Sequence, residues 1–96
     1  MIGSWKNANS RRVLETGEAR GFRGLDAMRA AMRLKELNAA RTLADLSPLK
    51  SVGLHKLVGD RRGQWAVTVN GPWRVVFTVG RDGAFEDVEI VDYHKG

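Results

Sequence analysis

From Leu54 onward the hydrophobic period of this chain changes to two, and that change constrains the fold more than any other feature. A period of two belongs to half-buried strands, whose side chains alternate between faces. Leu54-His55-Lys56-Leu57-Val58 reads as a first strand, closed by Gly59-Asp60, and Trp65-Ala66-Val67-Thr68-Val69 as a second. Asn70-Gly71 follows, a strong hairpin signal because both residues tolerate positive φ. Trp73 to Val79 makes a third strand, Gly80-Arg81-Asp82-Gly83 a turn, and Phe85 to Tyr93 a fourth strand. A two-residue turn at Asn70-Gly71 puts Trp65, Val67 and Val69 on one face with Arg74 and Val76. The other face then carries Ala66, Thr68, Trp73, Val75 and Phe77. A two- or four-residue second turn adds Val88 and Ile90 to Trp73, Val75 and Phe77 as the core face, continued by Asp92 and His94, with Tyr93 beside Arg74. A three-residue turn reverses this, since a one-residue slip flips every side chain.

Upstream the pattern is helical. Ile2 to Trp5 fits a short edge strand, and Asn9 or Ser10 caps a helix running through Glu15 and ended by Gly17. A longer helix fits Gly24 to Ala40. Asp26, Arg29, Arg33 and Glu36 share one arc of it, and Leu25, Met28, Ala31, Met32, Leu34 and Leu37 cover most of the rest. So wide an apolar face implies burial against the sheet, with room for a partner chain. Thr42 to Leu49, with Ser47-Pro48, reads as a connection containing a turn. With no repeat or linker, residues 1–96 are expected to form a single α+β domain, two N-terminal helices packed on a mainly antiparallel sheet of four to five strands.

Charge points to a polyanion. The chain carries 16 Lys+Arg against 11 Asp+Glu, and residues 1–64 hold 13 of the basic and 6 of the acidic side chains. A basic surface concentrates nucleic acid and gains affinity by releasing its counterions. Arginine outnumbers lysine, which suits forked contact with phosphate. With no cysteine, there is neither a disulfide framework nor a thiolate zinc site. No apolar run is long enough to span a membrane, and Met1 to Lys6 lacks the apolar stretch of a secretory signal, so a cytoplasmic protein is expected.

Two histidines are available for chemistry. His94 lies in Asp92-Tyr93-His94 and His55 in Leu54-His55-Lys56-Leu57. Each has a bland reading, as a polar strand end or a structural strand residue. The functional reading is RNA cleavage without a metal. One group removes the 2′-OH proton, another protonates the leaving 5′ oxygen, and cations steady the phosphorane. Histidine suits the proton transfers because its ordinary pKa lies near neutrality, and Arg74, Lys56, Arg61 and Arg62 are the candidate cations. Two His and one Asp are enough to ligate zinc, but their spacing is not diagnostic. Gly59-Asp60-Arg61-Arg62-Gly63 lacks the spacing of a P-loop and is either a phosphate grip or a solvated turn. Trp5, Trp65 and Trp73 fit core positions better than stacking platforms, although one exposed indole suffices to stack on a base.

Taken in order, Val13-Leu14-Glu15-Thr16-Gly17, Leu54-His55-Lys56-Leu57, Gly59-Asp60-Arg61-Arg62-Gly63-Gln64-Trp65, Val69-Asn70-Gly71-Pro72-Trp73-Arg74-Val75 and Val88-Glu89-Ile90-Val91-Asp92-Tyr93-His94 resemble the HigB toxins of the RelE/HigB superfamily. Each stretch is weak singly; their combination in a chain of this size is specific. The resemblance implies a RelE-like ribonuclease fold and cleavage of messenger RNA in the ribosomal A site by 2′-OH attack, with no metal or other cofactor. It implies catalytic roles for His55, Asp92, Tyr93 and His94, and places Lys56 and Arg74 near the scissile phosphate. It also implies a HigA-like antitoxin with a helix-turn-helix domain, through which alone the toxin would meet operator DNA. Two features depart from the pattern: Asn7-Ala8-Asn9-Ser10 is less apolar than the family before its first helix, and Pro72 stands where a polar residue is usual. Two other classes remain open. A ParE-like gyrase inhibitor is disfavoured because a binding module needs no proton-transfer groups; the other is an RNA-binding or antitoxin-docking protein without nuclease activity.

Overall fold

The computed structural model describes residues 1–46 and 53–93. Helices α1 (Ala8–Thr16) and α2 (Ala27–Ala39) precede strands β1 (His55–Lys56), β2 (Trp65–Thr68), β3 (Trp73–Val79) and β4 (Phe85–Asp92), with short 3-10 turns at Leu43–Asp45 and Gly59–Arg61. The strands form one antiparallel sheet in the order β1-β2-β3-β4. This is the α+β arrangement expected, two helices on an antiparallel sheet. The segment from Ile2 to Trp5 runs parallel to β4, bridged at Ile2 to Phe85 and Trp5 to Val88, so it extends the sheet edge. The expected turn at Ser47-Pro48 lies outside the described residues. Among the described residues, no helix is long and apolar enough to cross a membrane.

The helix starts differ from the sequence expectation. Asn7, not Asn9 or Ser10, caps α1, its side chain accepting from the Ser10 amide at 2.9 Å. This accounts for the polar run before the helix: it is the cap and first turn. Ser10 is fully buried, and its hydroxyl accepts from the Ile90 amide at 2.9 Å, tying α1 to β4. Similarly α2 begins at Ala27 rather than Gly24, because the Asp26 side chain accepts from the Arg29 amide and so serves as its cap.

Ala30, Leu34 and Leu37 form the buried stripe of α2, and Arg33 lies beside them, 7% exposed. Its guanidinium donates to the Thr68 carbonyl at 3.0 Å and to Glu36 at 2.8 Å, so a charge enters the packed layer already paired. Met28 and Met32, also on the expected apolar face, remain 81% and 48% exposed.

The hairpin between β2 and β3 corrects the expected register. Trp65 pairs with Phe77 and Val67 with Val75, and the Val69 amide donates to the Trp73 carbonyl. Three residues therefore separate the paired ends, not two. A two-residue turn would need a ladder bond from the residue after Gly71, and Pro72 has no N–H to give. Trp65, Val67 and Val69 consequently share the core face with Trp73, Val75 and Phe77, while Ala66, Thr68, Arg74 and Val76 face the other way.

The next turn shows two irregularities that cancel. Gly80 donates to the Ala84 carbonyl across three residues, which alone would invert β4. A bulge between Val76 and Thr78, where Phe77 stands opposite both Asp87 and Val88, restores the register. Phe85, Val88 and Ile90 thus all reach the core although Phe85 and Val88 are three apart. Asp87 adopts φ 52°, in the left-handed region, and its amide donates to the Ser4 hydroxyl. Replacing Asp87 by glycine should leave stability within about 0.5 kcal/mol, whereas valine should cost about 1–2 kcal/mol; urea unfolding measures both.

The outer face of the sheet is also partly covered. Leu57, at the start of the connection between β1 and β2, joins Ala66 and Val76 in a second buried cluster with Val91 packed on it.

Candidate active site

His55 and Tyr93 meet on that outer face, and Arg74 shares it. Strand alternation puts them there: His55 pairs with Ala66, and Arg74 with both Thr68 and Val91, two residues before Tyr93. The Tyr93 amide donates to the Pro72 carbonyl at 2.8 Å, so the residue that shifts the hairpin register also holds the end of β4.

The His55 ring lies edge-to-face with the Tyr93 ring, centroids 6.4 Å apart and planes at 89°. Its Nδ1 is 2.9 Å from the Gly53 carbonyl. A carbonyl only accepts, so Nδ1 carries the proton, and in the neutral ring Nε2 keeps a lone pair for proton transfer. Both rings are solvent-accessible. Arg74 Nη1 donates to the Gly71 and Trp73 carbonyls at 2.7 and 2.9 Å, which fixes the guanidinium against the hairpin. Among the described residues it pairs with no carboxylate, so its charge is available to an anion.

The other sequence candidates are placed differently. Lys56, next to His55, falls on the opposite face, its Nζ 5.9 Å from the Trp65 ring centroid. Asp92 pairs across the ladder with Trp73 and so shares the core-side face, half-buried at its end. Arg61 is 26% exposed and donates to Gln64 at 3.1 Å and to Glu89, itself 13% exposed, at 3.4 Å. It straps the β1–β2 connection across the outer face. The Arg62 side chain is exposed. His94 lies outside the described residues. Among those residues, no three His, Asp or Glu side chains gather as a metal-binding group.

Arg61→Ala leaves Glu89 without its cation in a half-screened setting. We expect a loss of about 1–2 kcal/mol, read by urea unfolding.

One feature escapes sequence reading. A groove of about 620 Å³ is lined by Gly21, Phe22, Arg23, Arg61, Trp73 and Asp92, among others. Its signal, an aromatic-basic pair between two glycines, is too short to interpret until Trp73 is known to lie across from it.

The full chain also has relatives. The model of the family described as RelE-like toxin of type II toxin–antitoxin system HigB matches residues 4–94. The Endoribonuclease HigB of Proteus vulgaris is 32% identical over 94 residues, covering 98% of this chain and 100% of the relative. Membership in a type II system implies an antitoxin partner. With helices, sheet and motif order in agreement, this chain belongs to the RelE-like toxins of type II toxin–antitoxin systems, of the HigB kind.

Proposed function

We propose that residues 1–96 act as one toxin domain, an endoribonuclease that cuts translated messenger RNA in the ribosomal A site and thereby stops translation in the cytoplasm. The observation that carries this reading is the edge-to-face pair of His55 and Tyr93 on the sheet face that Arg74 shares. In the reaction, a base removes the 2′-OH proton and the 2′ oxygen bonds to the adjacent phosphorus. The bond from phosphorus to the 5′ oxygen breaks, and that oxygen takes up a proton. The products are a 2′,3′-cyclic phosphate and a 5′-hydroxyl. His55 serves the proton transfers through Nε2, with Tyr93, Asp92 and His94 completing the catalytic set. Arg74 offsets the charge of the phosphorane, and side-chain cations take the part a metal plays elsewhere. Lys56 and Arg62 add to the positive field along the RNA path, while Arg61, paired with Glu89, holds the β1–β2 connection in place beside it.

The relative named as an endoribonuclease supports RNA as the substrate. The antitoxin in this reading is HigA-like, with a helix-turn-helix domain that brings the toxin to operator DNA only indirectly. The test is purified protein in a translating extract, with message ends mapped by primer extension. Cuts that depend on ribosomes and keep phase with codons are expected. Intact message together with blocked DNA supercoiling would assign the chain to gyrase inhibition instead.

A further inference from the structure

We propose that the groove between the α1–α2 connection and the end of β3 and β4 is a nucleotide subsite, holding the base next to the scissile phosphate against Trp73 and Phe22 and a neighbouring phosphate on Arg23. The proposal rests on the reading of the chain as an RNA-cutting toxin and adds a binding site outside the His55 cluster.

Three observations carry it. First, the wall is aromatic and partly open. Phe22 and Trp73 meet edge-to-face, centroids 5.7 Å apart and planes at 88°. Such pairing covers at most one face of either ring, and both residues are half-buried and line the groove. A planar base has ring surface to stack on. Second, Arg23 is exposed and makes no side-chain hydrogen bond or ion pair among the described residues. Arg61, on the same groove, is already held by Glu89, so Arg23 is the cation left for a phosphate.

Third, the groove is built in advance. Gly21 and Gly24, at φ 88° and 80°, bracket Phe22 and Arg23 in a conformation that other residues adopt only with strain. The Asn70 side chain donates to the Gly24 carbonyl at 3.0 Å and accepts from the Asp26 amide at 2.8 Å, fastening this connection to the β2–β3 hairpin. A wall fixed this way loses little freedom when a ligand arrives.

The position suits a flanking nucleotide. Trp73 pairs with Asp92, and Tyr93 is the next residue along, with Cα atoms about 3.8 Å apart. The groove also takes in Val91 and Arg61 from the outer face, so it reaches round the strand end toward the face that carries the His55–Tyr93 pair.

The experiment is cleavage in the translating extract at rising concentrations of wild type, Arg23→Gln and Trp73→Leu, with antitoxin binding and thermal midpoints recorded alongside. Both variants should raise the half-saturating toxin concentration roughly 5- to 100-fold, with the rate at saturation within about twofold. Trp73 also packs on the core, so if Trp73→Leu unfolds, the exposed Arg23→Gln decides. A half-saturating concentration for Arg23→Gln within twofold of wild type overturns the subsite, as does a fall in saturated rate alone. Loss of antitoxin binding with message affinity unchanged overturns it in favour of a protein-docking groove. If wild type cuts no message, the endoribonuclease reading fails and the subsite fails with it. Wild-type cutting with unaffected variants removes the subsite alone.

Discussion

His55→Ala should lower message cleavage by about 10²- to 10⁴-fold, the range for losing a general acid or base. The side chain is exposed, and among the described residues it contacts the nearby Gly53 carbonyl and the Tyr93 ring. Its removal should therefore change stability by no more than about 0.5 kcal/mol, and antitoxin binding should be unaltered. Tyr93→Phe separates the two parts of that contact. It keeps the edge-to-face packing and removes only the hydroxyl, so a loss in this variant assigns the hydroxyl a part in the reaction. His94→Ala should also abolish toxicity. Wild-type cutting rates in both histidine variants would remove them from the mechanism and leave distortion of the bound message as the source of cleavage.

The largest stability loss should follow Phe77→Ala. Phe77 is 1% exposed, and its ring meets that of Phe85 at 4.9 Å. It sits opposite the β4 bulge, where the two register irregularities cancel. Truncation should cost about 3–5 kcal/mol, a large part of the usual margin of about 5–15 kcal/mol. The thermal midpoint should fall by about 4–8 °C per kcal/mol for a domain of this size. Val79→Ala on the same strand, at a residue 39% exposed, should cost about 0.5 kcal/mol or less. A loss below about 1 kcal/mol for Phe77→Ala would mean that the core packs around a different set.

The surroundings of His55 and of Phe77 are unequally legible in the sequence. Element type was legible, because the periods of two and 3.6 are local. The register of β2 on β3 was not, because Asn70-Gly71 is so strong a two-residue signal that it hides the missing N–H of Pro72. The placement of Val88 and Ile90 beside Val75 and Phe77 came out as expected, but by another route. A three-residue turn and a bulge at Asp87 each shift the face, and together they restore it. Neither shift alone can be read from alternating residues.

The same limit applies to the candidate site. His55, Arg74 and Tyr93 stand out by type and motif, and strand alternation places Tyr93 beside Arg74. What alternation misses is reach across the sheet, such as the His55 ring meeting Tyr93 from the first strand to beyond the fourth. Arg61 and Arg62 look equivalent in sequence, yet among the described residues only Arg61 finds a carboxylate, on β4, 28 residues away. Asn70 likewise looks like a turn residue and proves to be an anchor for the α1–α2 connection.

Cleavage by an internal 2′ oxygen puts the attacking atom in the message itself, where one substitution removes it. A message with a single 2′-deoxynucleotide at a mapped cut site should resist wild-type toxin at that bond while being cut elsewhere, and the other upstream fragments should end in 2′,3′-cyclic phosphate. Undiminished cutting at the deoxynucleotide, with 5′-phosphate on the downstream fragment, would rule out attack by the 2′ oxygen.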